Sequence, residues 1–308
     1  MNYNDFVKYV ADFLVYAHVE KNLSHNTIRS YKSDLSRFSN FWQRINDTEG
    51  TEVLMKRAFE RYFLALFHEE FDKSSVARKV SCFTSFEDYM RTLGVSLALN
   101  LKRPHIDKKL PVYLTVDEIF YLLDTIKNEQ LPTKRPYRDK AVFELLYATG
   151  MRCSELCSIE MHDIDLENKV IKIYGKGRKE RLALFGSKAK ERLEQYLKYE
   201  RRRVVDYTEK LFVNSQGEPL TPRTIQRIIL MFRRFLKGNK LVTPHKIRHS
   251  FATHLLNSGA DLRVVQELLG HQTLASTEKY THVTGTRLAE IYDTMHPLSV
   301  MKKLKPAL

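Results

Sequence analysis

Phe6, Val10, Phe13, Leu14 and Ala17 recur at the period of a helix that buries one face. Ser24 is a good N-cap for a second helix, whose stripe is Ile28, Tyr31, Leu35, Phe38 and Trp42. A third is expected from Leu54 to Phe67. A fourth starts near Ser74, carries Val76, Val80, Phe83, Phe86 and Met90, and stops at Gly94 as C-cap. Residues 1–104 therefore read as a small all-helical bundle. Its basic residues, such as Lys32, Arg78 and Lys79, read mostly as solvated faces.

The periodicity then lapses. Pro104 and Pro111, with several positive charges around them, mark an interdomain linker over 105–112 that could lie along a phosphate backbone. A second domain follows over 113–298, with a basic tail over 299–308. Thr115 and Glu118 form a capping box ahead of Ile119, Leu122, Leu123 and Ile126. A helix over Tyr137 to Thr149 stops at Gly150, and a short one runs from Ser154 to Ile159, which puts Arg152 just past a helix end. Val170–Tyr174 and Arg181–Phe185 read as strands of a hairpin with Lys176 at its tip. Helices are expected from Ser187 to Arg203 and Thr221 to Lys237, from Pro244 to Ser258-Gly259, and from an Asp261 cap to Gly270-His271. The expected fold is mainly α with a small β-sheet.

Charge changes this picture more than composition does. At 308 residues and 43% apolar the chain can bury two cores, but its net charge of +14 and pI near 9.5 point to a polyanionic partner. Residues 1–105 hold 15 basic and 13 acidic side chains, and the remainder 36 and 24, so +12 of the excess lies in the second domain. A plainly solvated basic surface would read the same way; the candidate chemistry in that segment favours DNA. Cys82, Cys153 and Cys157 form neither a disulfide framework nor a metal spacing, and the latter two are expected to be small buried apolar residues. Neither a leader pattern nor an apolar run of about 20 residues is present, so a cytoplasmic, nucleoid-associated protein without membrane insertion is expected.

Between Thr243 and His282 stand His245-x-x-Arg248, Leu269-Gly270-His271 and the isolated Tyr280. Upstream stand Arg152, in Ala-Thr-Gly-Met-Arg, and Lys176, between two glycines. A phosphodiester resists attack because it repels nucleophiles and because an alkoxide leaves poorly. An enzyme working without a metal must supply positive charge, a nucleophile and a proton donor. Arg152 and Arg248 suit the first task, since a guanidinium fork binds two phosphate oxygens and keeps its charge. Tyr280 is the candidate nucleophile, and His245, on the helical face of Arg248, the candidate base. Lys176 can protonate the departing 5′ oxygen, and His271 can hydrogen-bond the phosphate.

Each residue alone has a duller explanation. A lone arginine after a helix is usually solvated, and Gly-Lys-Gly is commonly a plain turn; it lacks the phosphate-loop pattern. His245 and His249 share a face, yet Lys246 stands where a zinc protease has glutamate, and Arg248 would repel the ion. No cofactor and no catalytic metal is expected.

Order and context change those odds. Ala-Thr-Gly-Met-Arg152-Cys-Ser-Glu155-Leu, Gly-Lys176-Gly-Arg-Lys-Glu-Arg181, Thr-Pro-His245-Lys-Ile-Arg248-His-Ser-Phe-Ala-Thr-His-Leu-Leu, Leu-Leu-Gly-His271 and Tyr280-Thr-His282-Val together resemble the tyrosine recombinases, most of all the Xer type. The resemblance is specific over 115–296 and looser over the first domain, which is similar to the family's SAM-like core-binding domain. It implies a mixed α/β catalytic domain after that bundle and a catalytic set of Arg152, Lys176, His245, Arg248, His271 and Tyr280. It further implies a 3′-phosphotyrosyl link, strand exchange through a Holliday junction, and a homo- or heterotetramer on double-stranded DNA at a specific recombination site. Resolution of chromosome dimers at a terminus site, with a DNA translocase at the division septum, is the biological setting it points to. Integration of a mobile element, single-site relaxation of the type IB topoisomerase kind, and non-catalytic DNA binding remain as alternatives.

Overall fold

The computed structural model describes residues 1–106, 113–174, 180–201, 209–238, 240–270 and 295–297. It divides into two compact units, Met1–Leu110 and Pro111–Leu308.

The first unit is four helices: α1 (Tyr3–Val19), α2 (His25–Glu49), α3 (Met55–His68) and α4 (Lys73–Thr92). Ser24 caps α2 by accepting from the Thr27 N–H, as its sequence position predicts. Helix α4 begins one residue before Ser74 because Asp72, not Ser74, is its cap, accepting from the Ser74 N–H. The predicted stripes meet in an aromatic core. Phe38 packs edge-on against Phe6 and Phe83, with centroids 5.3 Å away in each case, and the Trp42 indole donates to the Val53 carbonyl at 2.7 Å. Such pairs add about 0.5–1.5 kcal/mol each beyond area burial. Lys79 is not solvated: it is 1% exposed and paired with Asp34 at 2.8 Å.

In the second unit α5 (Val116–Phe120) opens on the Thr115–Glu118 capping box and ends in a π turn. Around α6 (Pro136–Thr149) the core is built; every residue from Arg138 to Thr149 is buried, so this helix is enclosed on all sides. Arg135 gives it no side-chain cap. Instead Glu200 reaches across the fold and accepts from the N–H groups of Tyr137 and Arg138 at 3.1 and 3.0 Å. Next come α7 (Cys153–Ser158) and an antiparallel sheet in order β1 (Ile164–Asp165), β2 (Val170–Tyr174), β3 (Glu180–Leu184). Strand β1, two residues long, carries too little pattern to be foreseen. Helices α8 (Ser187–Tyr196), α9 (Pro222–Phe232), α10 (Pro244–Asn257) and α11 (Leu262–Leu269) complete the unit. The helix expected through to Arg203 is α8 followed by a π turn at Leu197–Arg201, the turn that carries Glu200. Cys153 and Cys157 are only partly buried, packed against the core at its edge rather than enclosed in it. Among the described residues no helix is long and apolar enough to cross a membrane.

Candidate active site

Helix α6 must stop for Arg152 to turn outward, and Gly150 makes it stop. Its φ of +60° is left-handed, and a Cβ there would lie 2.5 Å from Phe251 and 2.9 Å from Leu269. Only glycine lets the end of α6 approach α10 and α11 so closely. Two residues on, Arg152 is the N-cap of α7. Its N–H reaches Glu155 Oε2 at 2.8 Å and its guanidinium reaches Oε1 at 2.7 Å. The side chain remains 48% exposed while Glu155 is 5% exposed, so a buried acid holds an arginine that faces outward.

Glu155 holds a second arginine. Arg181, on β3, donates to Glu155 Oε2 at 3.0 Å and to the Leu268 carbonyl at 2.8 Å. A Cβ on Gly270 would lie 2.7 Å from Arg181 Cδ, so the glycine ending α11 makes room for this side chain. Burial pushes the Glu155 carboxyl up, but the Arg152 main chain and guanidinium, with Arg181, outweigh it and hold the group below the usual carboxylate range.

Arg248 comes from α10, which Thr243 caps and Pro244 opens. It is 7% exposed, and it donates to the carbonyls of Gly150 at 2.6 Å and Leu269 at 2.8 Å. These are the carbonyls left over at the ends of α6 and α11, so one guanidinium joins three helices. Burial, reinforced by the Arg152 cation, pushes Arg248 down to about 10, and Glu155 opposes the fall. Arg248 thus stays charged at neutral pH.

His245 is exposed on the first turn of α10. His254, two turns further along, belongs to the core, with Nδ1 2.8 Å from the Tyr147 hydroxyl. The structure therefore brings Arg152 and Arg248 together and sets His245 on the helix of Arg248. Lys176, His271 and Tyr280 lie outside the described residues. Arg181 and Glu155 stand in the quoted motifs but were assigned no role from sequence; Glu155 takes Arg152 from its own helix start, while Arg181 reaches it from a separate segment. Among the described residues one group, Glu160, His162 and Asp163, has donors gathered as a metal ion would need.

Residues 112–287 match the phage integrase family, and residues 10–92 match its N-terminal SAM-like domain. The chain belongs to the phage integrase family. It is 38% identical to the tyrosine recombinase XerC of Thermodesulfovibrio yellowstonii, over 94% of this chain and 97% of that protein. To the tyrosine recombinase XerD of Staphylococcus haemolyticus it is 36% identical, over 94% and 98%. The chain is accordingly an enzyme, a site-specific tyrosine recombinase. Among solved structures it is similar in fold to the XerH recombinase bound to its difH substrate, with a TM-score of 0.65 and 23% identity over 97% of this chain and 85% of that one. A Tn1549 transposon integrase in complex with circular intermediate DNA shares the fold at a TM-score of 0.64 and 18% identity, over 96% and 99%.

Proposed function

We propose that this recombinase cuts and rejoins double-stranded DNA at a specific site through a 3′-phosphotyrosyl intermediate on Tyr280. The observation that carries the proposal is the convergence of Arg152 and Arg248 where α6, α7, α10 and α11 meet, one arginine half exposed and the other buried. Two arginines fixed in this way supply positive charge before the reaction begins, at a place partly withdrawn from water, where it acts most strongly.

The Tyr280 oxygen attacks the scissile phosphorus, and the bond from phosphorus to the 5′ oxygen breaks. His245 takes the phenol proton. Lys176 gives a proton to the 5′ oxygen, which leaves as a hydroxyl. Arg152 and Arg248 neutralise the charge that builds on the non-bridging oxygens, and His271 hydrogen-bonds one of them. Attack by the 5′ hydroxyl of another strand reverses the steps, so bond energy is kept in the protein ester and no cofactor enters.

Four protomers, identical or drawn from this chain and a paralogue, would exchange strands in pairs through a Holliday junction. Resemblance to the Xer recombinases supports resolution of chromosome dimers at a terminus site in the cytoplasm, on the nucleoid, under a septal DNA translocase. On a nicked substrate whose short cleaved strand diffuses away, wild-type protein should accumulate as a covalent adduct and Tyr280→Phe should not. An adduct that persists in Tyr280→Phe overturns the assignment.

A further inference from the structure

At the opposite end of α7 from Arg152 the chain makes a short 3-10 turn, Met161–Asp163, before entering β1. Here two carboxylates are each divided between a protein donor and one imidazole. Glu160 Oε1 accepts from Lys210 Nζ at 2.6 Å, while Oε2 faces His162 Nε2 at 3.6 Å. Asp163 Oδ2 accepts from the Glu160 N–H at 2.9 Å, while Oδ1 faces the same His162 nitrogen at 3.7 Å. Both separations are too long for hydrogen bonds. Asp163 is only 6% exposed, and its Oδ1 accepts no hydrogen bond among the described residues. A buried carboxylate oxygen left without a donor calls for an explanation.

An ion supplies one. One donor atom from each of Glu160, His162 and Asp163 lies within 4.8 Å of the other two. Neighbouring ligands about 2.1 Å from a tetrahedral ion stand roughly 3.4 Å apart, close to the two distances to His162 Nε2. The far side of the imidazole fits as well, since His162 Nδ1 is 3.5 Å from Glu209 Oε2. Metal-bound imidazoles commonly donate to an outer carboxylate, which fixes the ring, and Glu209 stands on that side just beyond hydrogen-bond length. Glu209 and Lys210 belong to a segment already joined to this turn, through Met161 N–H to the Glu209 carbonyl at 2.8 Å and Leu211 N–H to the Ile159 carbonyl at 2.9 Å.

We propose that Glu160 Oε2, His162 Nε2 and Asp163 Oδ1 bind one divalent transition ion, with water completing a tetrahedron. One imidazole and two carboxylates suit Zn2+ better than Mg2+ or Ca2+, which take oxygen ligands. The ion fastens the turn that leads from α7 into β1 and, through Glu209, the segment beside it. Its role is structural.

The test is Zn2+ titration of the full chain, read by calorimetry and by melting temperature. Expected are one ion bound per chain and a rise of about 5 °C or more at a hundredfold excess over Kd. His162 is 63% exposed at its side chain, so His162→Ala should fold; it should raise Kd about tenfold or more and lose most of the shift. Glu160→Gln should weaken binding too, whereas Cys153→Ser/Cys157→Ser, which removes competing thiols, should keep wild-type binding. The proposal falls if Zn2+ leaves the melting temperature unchanged, if His162→Ala responds as wild type does, or if the cysteine variant abolishes binding.

Discussion

In each unit a buried carboxylate among the described residues is held by two cations, Asp34 in the first and Glu155 in the second, and the two centres differ in what surrounds them. In the helical bundle Asp34, 2% exposed at its side chain, takes Lys79 at 2.8 Å and the Arg78 guanidinium. All three lie on α2 and α4, so the centre fastens one helix to another. In the second unit Glu155 takes Arg152 at 2.7 Å and Arg181 at 3.0 Å, and a third cation, the buried Arg248, is near enough for its charge to be felt. Those cations come from the start of α7, from β3 and from α10, and Arg181 and Arg248 also hold main-chain carbonyls at helix ends. A buried acid held by neighbouring cations of one other helix, one of them half exposed, makes structure. Guanidinium groups crowded round one acid cost stability on their own and attract an anion. The chain's net charge is divided the same way, with 15 basic against 13 acidic residues in 1–105 and 36 against 24 thereafter.

The largest effect that tests this contrast is on rate. Arg152→Ala should slow single-turnover formation of the DNA adduct about 10³-fold or more, the scale for charge groups aimed at a transferring phosphate. Its melting temperature should change little, because the side chain is 48% exposed, Arg181 still pairs with Glu155, and repulsion between Arg152 and Arg248 is relieved. Lys79→Met should leave the rate within a few-fold at temperatures where it is folded. Equal slowing in both variants would break the distinction between the centres.

Lys79→Met should show its effect in stability instead. It leaves Asp34, 1% exposed, with only the half-exposed Arg78 as an ionic partner, so the loss should approach but not exceed the cost of fully stranding a buried charge, about 3–5 kcal/mol. Urea unfolding measures the loss. Asp34→Asn/Lys79→Met should recover much of it, since the double change removes both charges. A double variant no more stable than Lys79→Met would mean that packing, not charge, sets the cost.

Local chemistry is what the sequence made legible. Ser24, the Thr115–Glu118 box, Pro244, Asp261 and the glycines at 150 and 270 act within a turn of their positions, and each starts or ends a helix as expected. Arg152 and Arg248 were found by motif, and their meeting depends on Gly150 letting α6 touch α10. Contacts that span the fold were not legible. Lys79 looks like any surface lysine until Asp34 is beside it; Arg181 looks like a strand residue until Glu155 and Leu268 take its donors. Glu200 gives no sign in sequence that it caps α6.

Glu144, on α6, is a third kind of acid and gives the smallest of these effects. It is fully buried, and neither carboxyl oxygen accepts a hydrogen bond among the described residues. Burial pushes its carboxyl up from 4.5 to about 7; Arg192 opposes the rise and Asp124 adds to it. Below pH 4.5 the group is protonated both folded and unfolded and does not affect the balance. Between 4.5 and about 7 the unfolded chain releases the proton and the folded chain keeps it, so stability falls as pH rises through that window; above about 7 both states are ionised and the loss is constant. The loss is on the order of 3 kcal/mol. Melting curves of wild type and Glu144→Gln from pH 4 to 8 should therefore diverge, with the variant falling less and standing above wild type at pH 8. Parallel curves would mean that the carboxyl ionises as freely in the fold as in the unfolded chain. Glu144 would then be matched by cations such as Arg192, as Asp34 is by Lys79, and the difference between the two units would rest on the arginines alone.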